Sequence, residues 1–148
     1  MNFPILSSLI LLPLIGSVFI FFNKSSEKNR TIKYVSIFIT FSNFLLSLYL
    51  WYIFDKSISD FQFIEDREWI SGLINYKVGI DGISILFVVL TAFITPLCVI
   101  SVISTIKYRL KDFLIAILIM ESLMIGVFCS LDLVVFYLFF EGGLIPMF

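Results

Sequence analysis

The chain contains no histidine and only two cysteines, Cys98 and Cys129, each inside an apolar run. Two isolated thiols supply neither a disulfide framework nor the clustered ligands of a zinc or iron–sulfur site. No glycine-rich loop follows a strand pattern, which argues against a nucleotide site. The sequence therefore predicts no metal, no bound cofactor and no redox centre in this chain, and no catalytic side chain of its own. Charge is scarce as well: 14% of residues are Asp, Glu, Lys or Arg, and the net charge of −1 gives no reason to expect nucleic acid as a partner.

What is abundant is apolar surface. Hydrophobic residues make up 60% of the 148 residues, and the mean hydropathy is +1.09. A soluble domain of this size has too large a surface fraction to hide that much. Lipid accommodates it.

Crossing a hydrocarbon core of ~30 Å takes about 20 mostly apolar residues. Runs over 3–22, 34–54, 83–105 and 113–131 meet that length, and a fifth begins at Leu133 and continues to Phe148. The fifth run reaches only ~24 Å at 1.5 Å per residue and shows no polar stop, so the chain is expected to be a fragment of something longer. The first run lacks a basic leader and a small-residue cleavage site, which predicts a retained helix rather than a signal peptide. The predicted fold class is thus all-α: a multi-pass transmembrane bundle of four complete helices and a truncated fifth. It forms a single unit over 1–148.

Orientation follows from the basic loops. Lys24, Lys28, Arg30 and Lys33 surround the first loop, and Lys107, Arg109 and Lys111 the third. Residues 55–81 between them carry Asp55, Asp60, Glu65, Asp66, Glu68 and Asp81 against Lys56, Arg67 and Lys77. Loops one and three are expected in the cytoplasm, with the acidic second loop and the N-terminus outside. Within that loop, Phe61-Gln62-Phe63 alternates, Ser71-Gly72 reads as a turn and Tyr76-Lys77-Val78 is β-prone. These features predict a short extracytoplasmic β-hairpin between helices 2 and 3, with Trp69 and Tyr76 at headgroup level.

Three acidic side chains belong to the last two helices: Glu121, Asp132 and Glu141. Asp132 stands at the turn joining them and reads as a cap. A charge at the bilayer centre costs roughly 2.5–3.5 kcal/mol on insertion scales, which makes an intramembrane carboxylate a functional candidate. Glu141 is about eight residues into helix 5, ~12 Å from its outer end. Gly142 and Gly143 beside it permit close helix approach. Pro146 has no N–H, so it frees the carbonyl of Gly142 for water. A carboxylate, a freed carbonyl and space for water are parts of a proton relay. Glu121 is expected at the same depth across the helix 4–5 hairpin, and the two would titrate as a coupled pair if their faces meet. Sequence leaves the helix rotation open.

Two blocks resemble a known family. Glu68-Trp69-Ile70, with Tyr76-Lys77-Val78-Gly79-Ile80-Asp81-Gly82-Ile83-Ser84, is similar to the loop before helix 3 of one proton-pumping chain of respiratory complex I. Phe136-Tyr137-Leu138-Phe139-Phe140-Glu141-Gly142-Gly143-Leu144-Ile145-Pro146-Met147-Phe148 resembles its fifth helix. The family is NADH-quinone oxidoreductase subunit M, with mitochondrial NADH dehydrogenase subunit 4 as counterpart. The resemblance covers essentially the whole chain but only the amino-terminal third of the family's length.

It implies a many-helix, cofactor-free subunit of the membrane arm, in a bacterial cytoplasmic or mitochondrial inner membrane. Flavin and iron–sulfur clusters would lie on other subunits. The partners it implies are other complex I membrane subunits, especially the sister antiporter-like chains, along with the lipid bilayer. Glu141 would match the family's helix-5 glutamate, whose lysine partner on helix 7 lies beyond Phe148, and Glu121 would be a second proton-carrying site. Alternatives are a subunit of a multisubunit cation/proton antiporter, a truncated membrane fragment that does not pump, and a structural protein in which Glu141 serves packing.

Overall fold

The computed structural model describes residues 4–23, 30–70 and 74–148. Helices α1 (Ile5–Phe22) and α2 (Arg30–Ile53) are followed by strands β1 (Gln62–Ile70) and β2 (Ile74–Ile80). Helices α3 (Ser84–Thr105), α4 (Leu110–Cys129) and α5 (Leu133–Met147) complete the chain. The first four helices are long and apolar enough to cross a membrane, and α5 is a shorter apolar helix. The expected Ser71-Gly72 turn, the helix start at Phe3, and Lys24 and Lys28 of the first basic loop lie outside the described residues.

Helix α2 shows why lipid is the solvent. Its buried face is Ile32, Ser36, Thr40, Asn43, Ser47 and Leu50, whereas Tyr34, Phe38, Phe41, Leu45, Tyr49 and Tyr52 are exposed. Small and polar residues point inward and large apolar ones outward, the reverse of a helix in water. Between helices in hydrocarbon there is no hydrophobic driving force, so close approach of small residues and cross-helix hydrogen bonds hold the bundle together. The hydroxyls of Ser36, Thr40 and Ser47 donate to carbonyls of their own helix, at Ile32, Ser36 and Phe44. They add no unsatisfied donor to the interior.

Helix α4 is the hub. It packs against α1, α3 and α5, with a narrower contact to α2. Its boundaries differ from those read in the sequence, and so does the start of α2. α2 begins at Arg30 rather than 34, and α4 at Leu110 rather than 113. Both extensions are polar helical turns, which hydropathy alone does not register. At its other end α4 stops at Cys129 rather than 131 because Leu131 leaves the helix to pair with β2. Its N–H donates to the Lys77 carbonyl at 2.9 Å, and Ser130 bridges to Val78.

The hairpin is antiparallel as expected, with register Glu65–Val78, Asp66–Lys77, Arg67–Tyr76 and Glu68–Asn75. A bulge interrupts it between Gln62 and Glu65, where Phe63 adopts a positive φ of 54°. A bulge re-aims the side chains around it, and here Phe63 packs on the apolar cluster formed by Leu6, Leu9, Val78, Ile80 and Ile125. Glu65 then reaches the start of α1. That helix has no side-chain cap of its own; instead the Glu65 carboxylate accepts from the backbone N–H groups of Leu6 at 3.0 Å and Ser7 at 3.3 Å. The Ser7 hydroxyl also donates to it.

The opposite terminus of α1 is closed in complementary fashion. Lys111 Nζ donates to the carbonyls of Phe21 at 3.0 Å and Asn23 at 2.8 Å. An anion at the N-terminus and a cation at the C-terminus both favour the helix dipole, although α1 contains no charged residue itself. Asp132 caps α5 through the N–H groups of Val134 and Val135, and Asp81 caps α3 through those of Ile83 and Ser84.

Two predictions follow from these caps. Glu65→Ala leaves two helix N–H groups without an acceptor and should lower unfolding stability in detergent micelles by about 1–2 kcal/mol. Glu65→Gln, which retains an acceptor, should lose less; equal losses would mean that the charge and not the acceptor is what α1 needs. The second concerns Asp81, which the Ser84 N–H, foremost, holds below its ordinary value of 3.8. A depressed carboxyl stabilises the fold fully above that ordinary value and loses the contribution as pH falls through the depressed one. Acid titration of stability should therefore show a component below about pH 4 that Asp81→Asn removes.

Candidate functional site

The two intramembrane carboxyls sit at matching depth. Glu121 is about eight residues before Cys129, the last residue of α4, and Glu141 about eight after Leu133, the first of α5, which places each ~12 Å from its helix end. They face different surroundings. Glu121 is 2% exposed and enclosed on the hub helix, while Glu141 lies on the exposed face of α5. The structure does not join them into one site.

Around Glu121, α4 presents a different residue to each of α2, α1 and α5. Glu121 Oε1 accepts from Asn43 Nδ2 of α2 at 2.9 Å. Ser122, the next residue, donates its hydroxyl to the Ile10 carbonyl of α1. One turn on, Gly126 receives α5: a Cβ there would lie 2.7 Å from the Phe139 ring. The tight glycine of the α4–α5 pair is therefore Gly126. A Cβ on Gly142 would meet only the Leu123 side chain, at an ordinary 3.5 Å, and one on Gly143 would meet nothing within 4 Å. α5 remains helical through Pro146 to Met147.

Glu141 has a polar neighbour one turn away on the same helix in Tyr137. No cation approaches it among the described ion pairs, which are Lys77–Asp66 and Arg109–Asp112. An apolar groove of about 650 Å³ between α3, α4 and α5 is lined by residues including Phe87, Met120, Met124, Phe139 and Phe140, and neither glutamate opens into it. Among the described residues no three His, Cys, Asp or Glu side chains converge to hold a metal ion. Cys98 is exposed on α3 and Cys129 buried on α4.

Sequence reasoning missed Asn43, Ser122, Gly126 and Glu65. Asn43 had a readable signal, since Ser36, Thr40, Asn43 and Ser47 recur at helical spacing along one face of α2. Glu65 had none, being one of several acids in a loop.

No protein-family model matches the chain. Individual relatives do. It is 46% identical over 144 residues, 97% of this chain and 29% of the relative, to a Marchantia polymorpha protein named NADH-ubiquinone oxidoreductase chain 4. It is 54% identical over 120 residues, 81% of this chain and 23% of the relative, to NADH-quinone oxidoreductase subunit M of Rhodobacter capsulatus. Against subunit M of Rickettsia prowazekii identity is 41% over 151 residues, 100% of this chain and 31% of the relative. The chain spans less than a third of the length of these curated relatives. Over the length it spans, the chain is homologous to proteins named NADH-quinone oxidoreductase subunit M and NADH-ubiquinone oxidoreductase chain 4.

Proposed function

We propose that this chain forms part of a membrane-arm subunit of an NADH:quinone oxidoreductase and contributes to an intramembrane proton path. The observation that supports this reading most is 46% identity along 97% of the chain to a named chain 4, in a sequence that places two carboxyls within apolar helices. In this reading electrons pass from NADH to quinone on other subunits, which carry the flavin and iron–sulfur groups. The sister antiporter-like chains are its neighbours, in a bacterial cytoplasmic or mitochondrial inner membrane. The hairpin and the α1 N-terminus face outside, and the Lys111 end faces the cytoplasm.

Glu141 is the proton-carrying group and Glu121 the second. An approaching cation favours the ionised form of a carboxyl, and its withdrawal favours the neutral form. Glu141 is suited to such exchange because it lies on an open face of α5, where a cation from outside the described residues can reach it. Glu121, enclosed and bonded to Asn43, is suited to holding a proton in place. Pro146 frees the Gly142 carbonyl one residue from Glu141, and that carbonyl can bind the water that delivers the proton.

In the assembled complex, Glu141→Gln should lower NADH-driven proton translocation into vesicles by about tenfold or more, with the complex fully assembled. Unchanged translocation at unchanged assembly would reassign Glu141 to packing. Cation/proton exchange that persists without NADH would favour the antiporter reading instead.

A further inference from the structure

Asn43 is fully buried and Glu121 nearly so. One hydrogen bond joins them, from Asn43 Nδ2 to Glu121 Oε1. Their other oxygens, Asn43 Oδ1 and Glu121 Oε2, are buried with no partner. A buried polar atom left without a partner forfeits its hydration with nothing in exchange, and here two acceptors are orphaned within one pair of side chains. Both need a donor.

Among the described residues no countercharge is at hand to stabilise an anion. α1 and α3 contain no charged residue. α2 carries only Arg30 and Lys33, in its first turn, ten or more residues from Asn43. α4 carries Lys111 and Asp112 in its own first turn, and α5 carries only Glu141, on its exposed face. An ionised Glu121 would be a lone buried charge, the costliest arrangement available.

We propose that Asn43 and Glu121 form a reciprocal acid–amide pair, with the carboxyl proton on Oε2 donated to Asn43 Oδ1. One proton then satisfies both orphaned oxygens and removes the charge. A side-chain amide complements a carboxylic acid in this way because it offers a donor and an acceptor in one plane. Of the four polar residues on this face of α2, the three hydroxyls bond to their own helix, and Asn43 alone bonds to another. Asn43 is thus a positioning residue: it fixes the rotamer of Glu121 and holds its proton. The pair does not depend on the transport reading, and its test does not measure transport.

The test is infrared difference spectroscopy of the protein in lipid vesicles, in H₂O and D₂O. The wild type should show the carbonyl stretch of a protonated carboxylic acid, shifted by deuterium and absent from Glu121→Gln. Asn43→Leu should move that band to higher frequency, because the carbonyl loses its donor. If helix content falls in that variant, Asn43→Ser serves instead, since α2 already buries serines at Ser36 and Ser47. Glu121→Gln should keep wild-type thermal stability by forming an amide–amide pair with the same connectivity, whereas Asn43→Leu should lose stability. A wild-type spectrum with no band attributable to Glu121 would overturn the proposal. So would a Glu121 band that is unmoved by loss of the Asn43 amide.

Discussion

In hydrocarbon, every polar group that a helix carries inward must find its partner within the protein, and helix α4 meets that constraint on several sides at once. Glu121 engages α2, Ser122 engages α1, and Gly126 admits the Phe139 ring of α5. Three of its neighbours, α1, α2 and α5, therefore each have their own marker on α4, which sets rotation as well as proximity. Apolar side chains cannot supply such a code, because to lipid one leucine face is much like another. On α2 large apolar residues such as Phe38, Phe41 and Leu45 accordingly line the outside.

The same economy governs the helix ends. α1 is apolar throughout, yet its termini receive an anion from β1 and a cation from α4. The hairpin thus does more than cover the outer face. It is bonded to the first turn of α1 through Glu65 and to the α4–α5 turn through Lys77 and Val78. Motion of the hairpin would reach α1 and the end of α4, the helix that carries Glu121.

Much of this was legible in the residues. Apolar runs of membrane length located the helices, and alternation in the acidic loop located the hairpin. Asp132 lay where a cap was needed, and it caps. Helix ends were read less well, because Arg30, Lys33 and Lys111 are polar residues that continue a helix beyond its apolar run. Rotation was the chief omission. Glu121 and Glu141 were placed at one depth, but only packing shows that one is enclosed against α2 while the other lies on an open face. The Asn43–Glu121 bond spans 78 residues, and no local pattern announces a partner that distant. The polar stripe of α2 did mark which face turns inward; it could not say which residue opposite would answer.

Glu121 faces α2, and Glu141 does not share its site. Cysteine cross-linking in membranes checks this arrangement, on a background with Cys98 and Cys129 replaced. Asn43→Cys paired with Glu121→Cys should be joined efficiently by a short bifunctional thiol reagent, and Glu121→Cys paired with Glu141→Cys should not. The opposite pattern would place the two carboxyl positions face to face and contradict the account.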